Sequence, residues 1–473
     1  MNFATSSSPS LRLLALLASA AVLGGCASFT PDGGFAAVRK TAKDRLGIDL
    51  QWARSDADQD STARRVSELL SKPLSVDDAV QVALLNNRGL QATFQELGIT
   101  EAEVVQAGRL PNPGFSFGRS SRGDEREIER GLHFNIARLI ALPLIGQMEA
   151  RRFEQTQAMV AMSVLSLAAD ARKAYYNALA AEEGVRYMRQ VKQAAEASSE
   201  LARRMEQVGN FNKLQRAREQ VFYADAALNL ARAEQAQRST RERLTRLLGA
   251  WGMQTQFTLP ERLPDLPKAV MELPDIERIA LAQRLDVQAV RLAAEQTARN
   301  LGLTRATRFV NVLELGVSRN SSNEAPTQRG WEIGFELPLF DWGGARVARA
   351  EGVYMQAVHR AAETAINARS EVREAYTGYR SAFDIARHHR DEIVPLRQRI
   401  AEENLLRYNG MLIGVFELLA DARAQIVSVN NAIESLRDFW LAQADLDMAL
   451  IGKPSLALPR GPATTAEPGG AAH

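Results

Sequence analysis

Two stretches of the chain alternate apolar and polar residues with a period of two, the pattern of a strand with two unlike faces. In one of them Trp331 and Phe335 alternate with Glu332 and Glu336. The patterns predict strands at about residues 113–145 and 310–341. Within each stretch, a polar, turn-rich segment (residues 118–131 and 318–330) is predicted to be a long loop between two strands.

The rest of the chain is dominated by long helical patterns. Residues 163–208, 212–248 and 415–450 are rich in good helix formers, and none contains a proline. Helices of this length are typical of coiled coils rather than compact domains. Gly209 and Asn210, and then Gly410, are predicted to reverse the chain, because these residue types tolerate a left-handed backbone. Pro395 is predicted to kink the helix that leads to Gly410.

The two halves of the chain share short motifs in the same order, which indicates a tandem duplication. Residues 83–92 resemble residues 280–289, and residues 142–146 resemble residues 337–344. The spacing between paired motifs stays near 200 residues, a repeat length that predicts two long units. The predicted organisation is residues 73–250 for the first repeat, 251–274 for a Pro-rich linker, 275–452 for the second repeat, and 453–473 for a disordered tail.

The N-terminus has the pattern of a bacterial export signal. An apolar run at residues 13–23 is too short to span a bilayer as a helix but suits a signal peptide. It leads into Leu-Gly-Gly-Cys at residues 23–26, so residues 1–25 are predicted to be removed. Cys26 is then predicted to carry a lipid (palmitate) at the start of an N-terminal segment, residues 26–72. The alternative is ordinary signal cleavage beside a chance cysteine.

Composition excludes several classes of function. The 58 basic and 56 acidic residues nearly balance, which gives no case for nucleic-acid binding. We find no phosphate-binding loop, no nucleophile–His–acid set and no zinc signature, so no catalytic residue, metal site or cofactor is predicted besides the lipid on Cys26. Adjacent His388 and His389 point about 100° apart on a helix and are interpreted as a surface pair.

Backbone hydrogen bonding limits what the predicted strands can do. A lone hairpin is barely stable in water, and an open sheet edge is forbidden in a bilayer. The four strands are therefore expected to join, and several copies to close them into a ring. Glu332 and Glu336 would then line a watery lumen. The alternative from the strand pattern alone is a soluble sheet packed on helices.

Four features occur together in this chain: the duplicated halves, the Cys26 motif, LPLFDWGG at residues 337–344 and YNG at residues 408–410. In this combination the chain resembles the TolC-like outer-membrane factors, particularly the lipidated branch that serves resistance-nodulation-division pumps. The resemblance covers residues 73–452. It implies a mainly α fold with a small β part: long coiled-coil helices forming an α-barrel, and four strands contributed to a trimeric, twelve-stranded transmembrane β-barrel. Implied partners are two further copies, a periplasmic adaptor, an inner-membrane pump and outer-membrane lipid.

Site residues follow from the same resemblance. Val208, Gly209 and Asn210 match the first periplasmic tip, and Gly410 the second, where an adaptor would bind. Tyr408, Glu417 and Asp421 match the segment that lines the closed aperture, although Ala420 replaces the second aspartate of the family pattern. Ala27, which is not aspartate, implies the outer membrane of a Gram-negative bacterium as the destination.

The expected function is therefore a passive exit duct of a tripartite efflux system and not an enzyme. It would export small molecules or metal ions, and the sequence does not name the cargo. The alternative is a periplasmic coiled-coil adaptor or a structural lipoprotein of the cell envelope.

Overall fold

The computed structural model describes residues 28–307, 313–335 and 339–454 of the 473-residue chain. The predicted signal peptide (residues 1–25), Cys26 and Glu336 lie outside the described residues, as does the tail from residue 455. The elements before the sheet are helices α1 (Phe35–Leu46), α2 (Asp56–Leu70), α3 (Val76–Asn86) and α4 (Arg88–Ala107). Helix α3 begins with a cap in which the Asp78 amide donates to the Ser75 hydroxyl at 3.1 Å.

Four strands form one antiparallel sheet in the order β1-β2-β3-β4. They are β1 (Gly114–Arg122), β2 (Glu125–Asn135), β3 (Leu313–Ser322) and β4 (Gln328–Phe335). The pairing of β2 with β3 joins the hairpins of the two halves, although they are far apart in sequence. The expectation that all four strands join is confirmed.

The predicted polar loops are wrong. Residues 118–131 and 318–330 belong mostly to strands, and the first hairpin turns tightly at Gly123, whose φ of 64° is left-handed. Arginine and glutamate alternate along this part of β2, so most positions on both of its faces are polar. A search for apolar alternation misses such a strand because both of its faces are polar.

The first long helix is longer than its sequence pattern predicts. Helix α5 runs from Ile136 to Gln207, 72 residues and about 110 Å, with Pro143 inside it. Residues 136–145, predicted to be strand, are its first turns. The periodicity of a short apolar run fits a strand and a helix equally well. For this reason the pattern did not show that these residues are helical.

The first predicted reversal is confirmed. Gly209 has a φ of 82°, and α6 (Lys213–Leu248) begins three residues after Asn210. Asn212 caps α6: its side chain accepts from the Gln215 amide at 2.9 Å, while the Gln215 side chain accepts from the Asn212 amide at 2.7 Å. This reciprocal cap satisfies two amides that would otherwise lack partners in the helix.

After α6 a single turn of 3-10 helix (Gly252–Thr255) opens the Pro-rich segment, which is otherwise irregular up to residue 275. The second half follows with α7 (Ile276–Gln283), α8 (Leu285–Ala306), the strands β3 and β4, α9 (Gly344–His388), α10 (Val394–Asn409) and α11 (Val415–Ile451). Among the described residues, no helix combines the length and apolar character needed to cross a membrane.

The second reversal differs from the prediction. Gly410 has a φ of −79°, and the left-handed backbone falls on Met411, with a φ of 63°. Pro395 does interrupt the helix, since a five-residue π-helix at His389–Ile393 separates α9 from α10. Proline lacks an amide hydrogen and clashes with the preceding turn, which favours a local change of helix type at this point.

The described residues fall into two compact units. The first comprises those within Met1–Gln59, Arg88–Val164 and Leu285–Asn367, and the second those within Asp60–Asn87, Leu165–Arg284 and Ala368–His473. The rings of Phe35, Trp52 and Phe94 pack together in the first unit, with centroids 5.0–6.3 Å apart. In the second, Leu266 of the Pro-rich segment packs into a core that includes Tyr379, Phe383 and Phe439. The predicted linker is thus irregular but held by apolar packing.

A buried arginine stabilises the second unit. The Arg284 side chain is 1% exposed, and its guanidinium donates to the Glu371 carboxylate at 2.6 Å and to the Ala449 carbonyl at 3.4 Å. It connects the segment after α7 to helices α9 and α11. A buried ion pair of this kind is strongly destabilising to break, because it leaves a charge without its partner.

We expect Arg284→Ala to lower the free energy of unfolding by about 3–5 kcal/mol. The matched control is Arg278→Ala, whose ion pair with Asp275 joins side chains that are 81% and 66% exposed and contributes less than about 1 kcal/mol. Denaturation of the two purified variants measures the difference. Equal losses of stability would contradict this account of Arg284.

Candidate functional site

One face of the sheet is apolar across all four strands. Phe115, Leu132, Val317 and Trp331 are directly opposed from strand to strand, so they form one continuous row. All four side chains are exposed. The same face carries Phe134, Leu313, Leu315, Ile333 and Phe335. A wide apolar face left uncovered by the chain that forms it marks a surface for lipid or for another protein.

The opposite face of the sheet carries small and polar side chains. Glu332 and Glu314 lie on it together with His133, whose ring contacts the Ser116 hydroxyl at 3.1 Å. Six glycines share this face: Gly114, Gly118, Gly131, Gly316, Gly330 and Gly334. The structure thus places Glu332 on the side of the sheet away from Trp331 and Phe335, as the alternation predicts. Small residues leave space beside this face for water or solutes.

Both edges of the sheet are unpaired among the described residues, since β1 and β4 each have one neighbouring strand. An exposed edge presents a row of free amide and carbonyl groups and is a template for pairing with another chain. Both edges are therefore open to pairing with a further strand.

The two helical reversals expose apolar side chains. Val208 at the first reversal is 72% exposed, and Met411 and Leu412 at the second are 93% and 77% exposed. Gly209 and Asn210 lie beside Val208, and Gly410 lies beside Met411. Apolar side chains at the ends of helical hairpins suit a protein partner better than water.

The structure brings Tyr408 together with the first reversal. A cavity of about 250 Å³ is lined by Tyr408, Phe211 and Glu219, with Ala197, Ser198, Leu201, Ala202, Leu418 and Leu419 completing the wall. Residues from α5, α6, α10 and α11 thus meet here. The other two predicted aperture residues do not line this cavity. Glu417 is exposed on the first turn of α11, where an acidic residue is favoured by the helix dipole. Asp421 is half-buried and accepts a hydrogen bond from the Asn404 side chain.

Glu219 is a residue that the sequence reading missed. Its side chain is 2% exposed, and its carboxylate accepts from the Ser198 hydroxyl at 2.8 Å and from the Arg423 guanidinium at 2.9 Å. The guanidinium carbon of Arg423 also lies 4.3 Å from the centre of the Phe222 ring. This contact joins α5, α6 and α11 close to the cavity. One sequence signal existed: Glu219 shares the helical stripe of Phe222 and Ala226, where a charge is unusual.

The histidine pair lies where α9 ends and the π-helix begins. His388 contacts the Glu392 carboxylate at 3.1 Å, within its own helical segment. Burial, followed by the neighbouring His388 charge, lowers the pKa of His389. In the part of the chain that the structure covers, no group of three histidine, cysteine or acidic side chains is placed to hold a metal ion.

Comparison with known proteins identifies the fold. No protein-family profile matches the sequence. The chain is 25% identical over 281 residues to the cobalt-zinc-cadmium resistance protein CzcC of Cupriavidus metallidurans, covering 57% of this chain and 64% of that protein, which is less than two thirds of its length. The outer membrane channel CmeC of Campylobacter jejuni superposes with a TM-score of 0.69 at 16% identity, over 87% of this chain and 91% of CmeC.

The open-state channel MtrE of Neisseria gonorrhoeae gives a TM-score of 0.67 at 19% identity, over 80% of this chain and 89% of MtrE. This chain therefore has the fold of the outer-membrane factor channels, which confirms the fold class expected from the sequence. CmeC and MtrE are outer membrane channels, and CzcC is a metal-resistance protein.

We expect Glu219→Ala to loosen α11 near the cavity, because it leaves the Arg423 guanidinium without its buried partner. Hydrogen–deuterium exchange of residues 417–427 should speed up at least about tenfold, the factor that corresponds to about 1.4 kcal/mol. The control is Glu234→Ala, which also removes a carboxylate from α6 but breaks a more exposed ion pair, with Arg189 of α5. Unchanged exchange in Glu219→Ala would show that this contact does not hold the helices together.

Proposed function

We propose that the chain is the outer-membrane exit channel of a tripartite efflux system, which passively exports small molecules or metal ions. The single observation that carries the proposal is the four-stranded sheet with one apolar face, one small polar face and two unpaired edges. The fold shared with outer-membrane channels agrees with it.

The sheet explains why the proposed channel would need more than one copy. In lipid each unpaired backbone group costs several kcal/mol, so an open edge cannot persist there. Four strands do not close into a barrel by themselves, whereas three copies supply twelve. Pairing β1 of one copy with β4 of the next removes every edge. The face of Trp331 would then contact lipid, while Glu332 and the glycines would line the lumen, with Glu336 expected beside them.

The helices supply the second part of the proposal. Helices α5 and α6 follow one another in the chain and form an antiparallel pair, with the reversal at Gly209. Helices α10 and α11 form a second such pair, with the reversal at Met411. Three copies would assemble these helices into a periplasmic tunnel. The exposed apolar residues at the reversals, Val208 and Met411 with their neighbours Asn210 and Gly410, would bind a periplasmic adaptor that links the channel to an inner-membrane pump of the resistance-nodulation-division type.

Tyr408, Glu417 and Asp421 are proposed to form the gate of the closed tunnel. Three copies of exposed Glu417 near a common axis would repel one another and attract cations. The packing of Tyr408 against the first reversal would hold the tips closed until the adaptor binds.

Metal ions are the cargo that the comparisons favour, because the matched relative is named for cobalt, zinc and cadmium resistance. Carboxylates of Glu314 and Glu332 on the proposed lumen face would attract cations of this kind. No binding site is required for this role, since a passive duct needs only a lumen that does not repel the cargo.

Anchoring would come from Cys26 as well as from the barrel. A lipid on Cys26, which lies outside the described residues, would tether each copy to the outer membrane. One acyl group anchors only weakly, so the strands would supply the firm insertion. Mass spectrometry of the mature N-terminus tests this assignment, and an unmodified Cys26 would remove it.

Reversing the character of each sheet face tests the channel. Purified from outer membranes, the unmodified chain should form detergent-requiring, heat-dissociable trimers that conduct ions in planar bilayers. Ile333→Lys places a charge on the apolar face, at about 2–4 kcal/mol per copy if the site lies deep in lipid, and should abolish these trimers.

The matched change Ser318→Lys lies on the opposite face of the same sheet and should leave trimers intact while altering conductance. Equal tolerance of both lysines, or an unmodified chain that is monomeric without detergent, would favour the adaptor or structural lipoprotein instead.

The gate is tested by Glu417→Ala. Removing three carboxylates from one aperture should reduce the preference of the pore for cations and its block by divalent cations in planar bilayers. Glu402→Ala, an exposed acid on the neighbouring helix α10, is the control and should change neither. Identical conductance and cation dependence in Glu417→Ala and the unmodified channel would exclude the gate role.

A further inference from the structure

A row of arginines crosses three of the four strands, next to the apolar band formed by Phe115, Leu132, Val317 and Trp331; on β1 the directly opposed residue is Phe117. Arg130 on β2 is directly opposed to Arg319 on β3, which is directly opposed to Arg329 on β4. Two more arginines, Arg119 on β1 and Arg126 on β2, lie on the same face nearer the hairpin turns. All five side chains are exposed. We call these five residues the arginine row.

The arginine row shares its face with the apolar band. Along each of β2, β3 and β4 the next residue on that face is apolar: Leu132 follows Arg130, Val317 precedes Arg319, and Trp331 follows Arg329. The acidic residues of the sheet occupy the opposite face, where they are Glu125, Glu127, Glu129, Glu314 and Glu332. Within the described strands the arginine row therefore has no carboxylate on its own side.

This arrangement is unfavourable unless an anion completes it. Directly opposed residues of an antiparallel sheet have Cβ atoms about 4.5–5.5 Å apart, and like charges placed in this way destabilise the pair. Guanidinium groups are planar, always charged and suited to two parallel hydrogen bonds with a phosphate. Several such groups in one row match a headgroup that carries phosphate better than they match a single carboxylate.

The position of the arginine row on the sheet indicates which kind of molecule would supply the phosphate. Arginine on the lipid face of a barrel is destabilising by about 2–4 kcal/mol at the bilayer midplane and by about 0–1 kcal/mol near the interface. The row therefore marks a membrane surface. Strand β2 continues directly into α5 at its apolar end, whereas the arginines lie towards the turn at Gly123. With the helices in the periplasm, the arginine row lies at the outer surface.

We propose that the arginine row binds the phosphate-bearing headgroups of lipids in the outer leaflet, with their acyl chains on the adjacent apolar band. This inference rests on the proposed function, because it requires the strands to cross the outer membrane. A lipid suits the surface better than free phosphate, because the apolar row of Leu132, Val317 and Trp331 directly adjoins the arginines.

Native mass spectrometry of the detergent-solubilised trimer, titrated with phosphatidic acid, tests the proposal. Phosphatidic acid should bind to the unmodified trimer more tightly than phosphatidylcholine, whose headgroup carries no net charge. The triple variant Arg130→Gln, Arg319→Gln, Arg329→Gln should weaken phosphatidic acid binding by about tenfold or more, since each lost charged hydrogen bond corresponds to that order of change. The control variant Arg218→Gln, Arg232→Gln, Arg238→Gln removes three exposed arginines of α6 and should bind like the unmodified trimer.

The outcomes separate this inference from the proposed function. Ion conductance of the triple variant in planar bilayers shows whether it still folds and assembles; if it does not, Arg329→Gln alone replaces it and should weaken binding measurably. Conducting variant trimers that retain full phosphatidic acid binding would overturn the inference and leave the channel standing. Equal binding of the two lipids to the unmodified trimer would overturn it as well. Complete displacement of phosphatidic acid by inorganic phosphate would show an ion site rather than a lipid site.

Discussion

The unpaired backbone of two edge strands is the constraint on which the rest of this structure depends. Among the described residues, strands β1 and β4 each leave one side of their amide and carbonyl groups without a partner strand. A soluble protein covers or charges such edges, and a membrane protein must close them. The wide apolar face on the same sheet makes closure in a membrane the consistent solution. The proposed trimer, the proposed lumen and the proposed export function all rest on that closure.

The alternation of side chains turns one short sheet into two different surfaces. Strand β2 carries glutamate and arginine in turn, so its acids lie on one face and its arginines on the other. The acidic face, with six glycines, is the proposed lumen face. The other face passes from aromatic and aliphatic residues to arginine within two residues along a strand, which is the change expected where a bilayer meets water. Function on both faces thus depends on register, since a slip of one residue would exchange them.

The helical part has its own buried polar contact. Helices α5, α6 and α11 meet around the buried Glu219 carboxylate, and the cavity lined by Tyr408 adjoins this contact. A carboxylate buried between helices holds them in one arrangement only while Arg423 remains in place. The contact is therefore placed to stabilise the proposed closed arrangement of the tips, and the exposed Val208 and Met411 are the residues proposed to bind an adaptor.

The sequence by itself determined the periodic elements: the long helices, the apolar strand positions, the reversal at Gly209 and the duplication, because each is a local pattern or a repeated one. It did not determine that residues 118–131 are strand, since polar residues on both faces give no apolar alternation. Nor did it place the left-handed residue at Met411 instead of Gly410. Only the tertiary structure decided that Glu219 meets Arg423, and that Arg130, Arg319 and Arg329 form one row. Such contacts join residues far apart in sequence, and they depend on strand register and helix packing that local patterns do not encode.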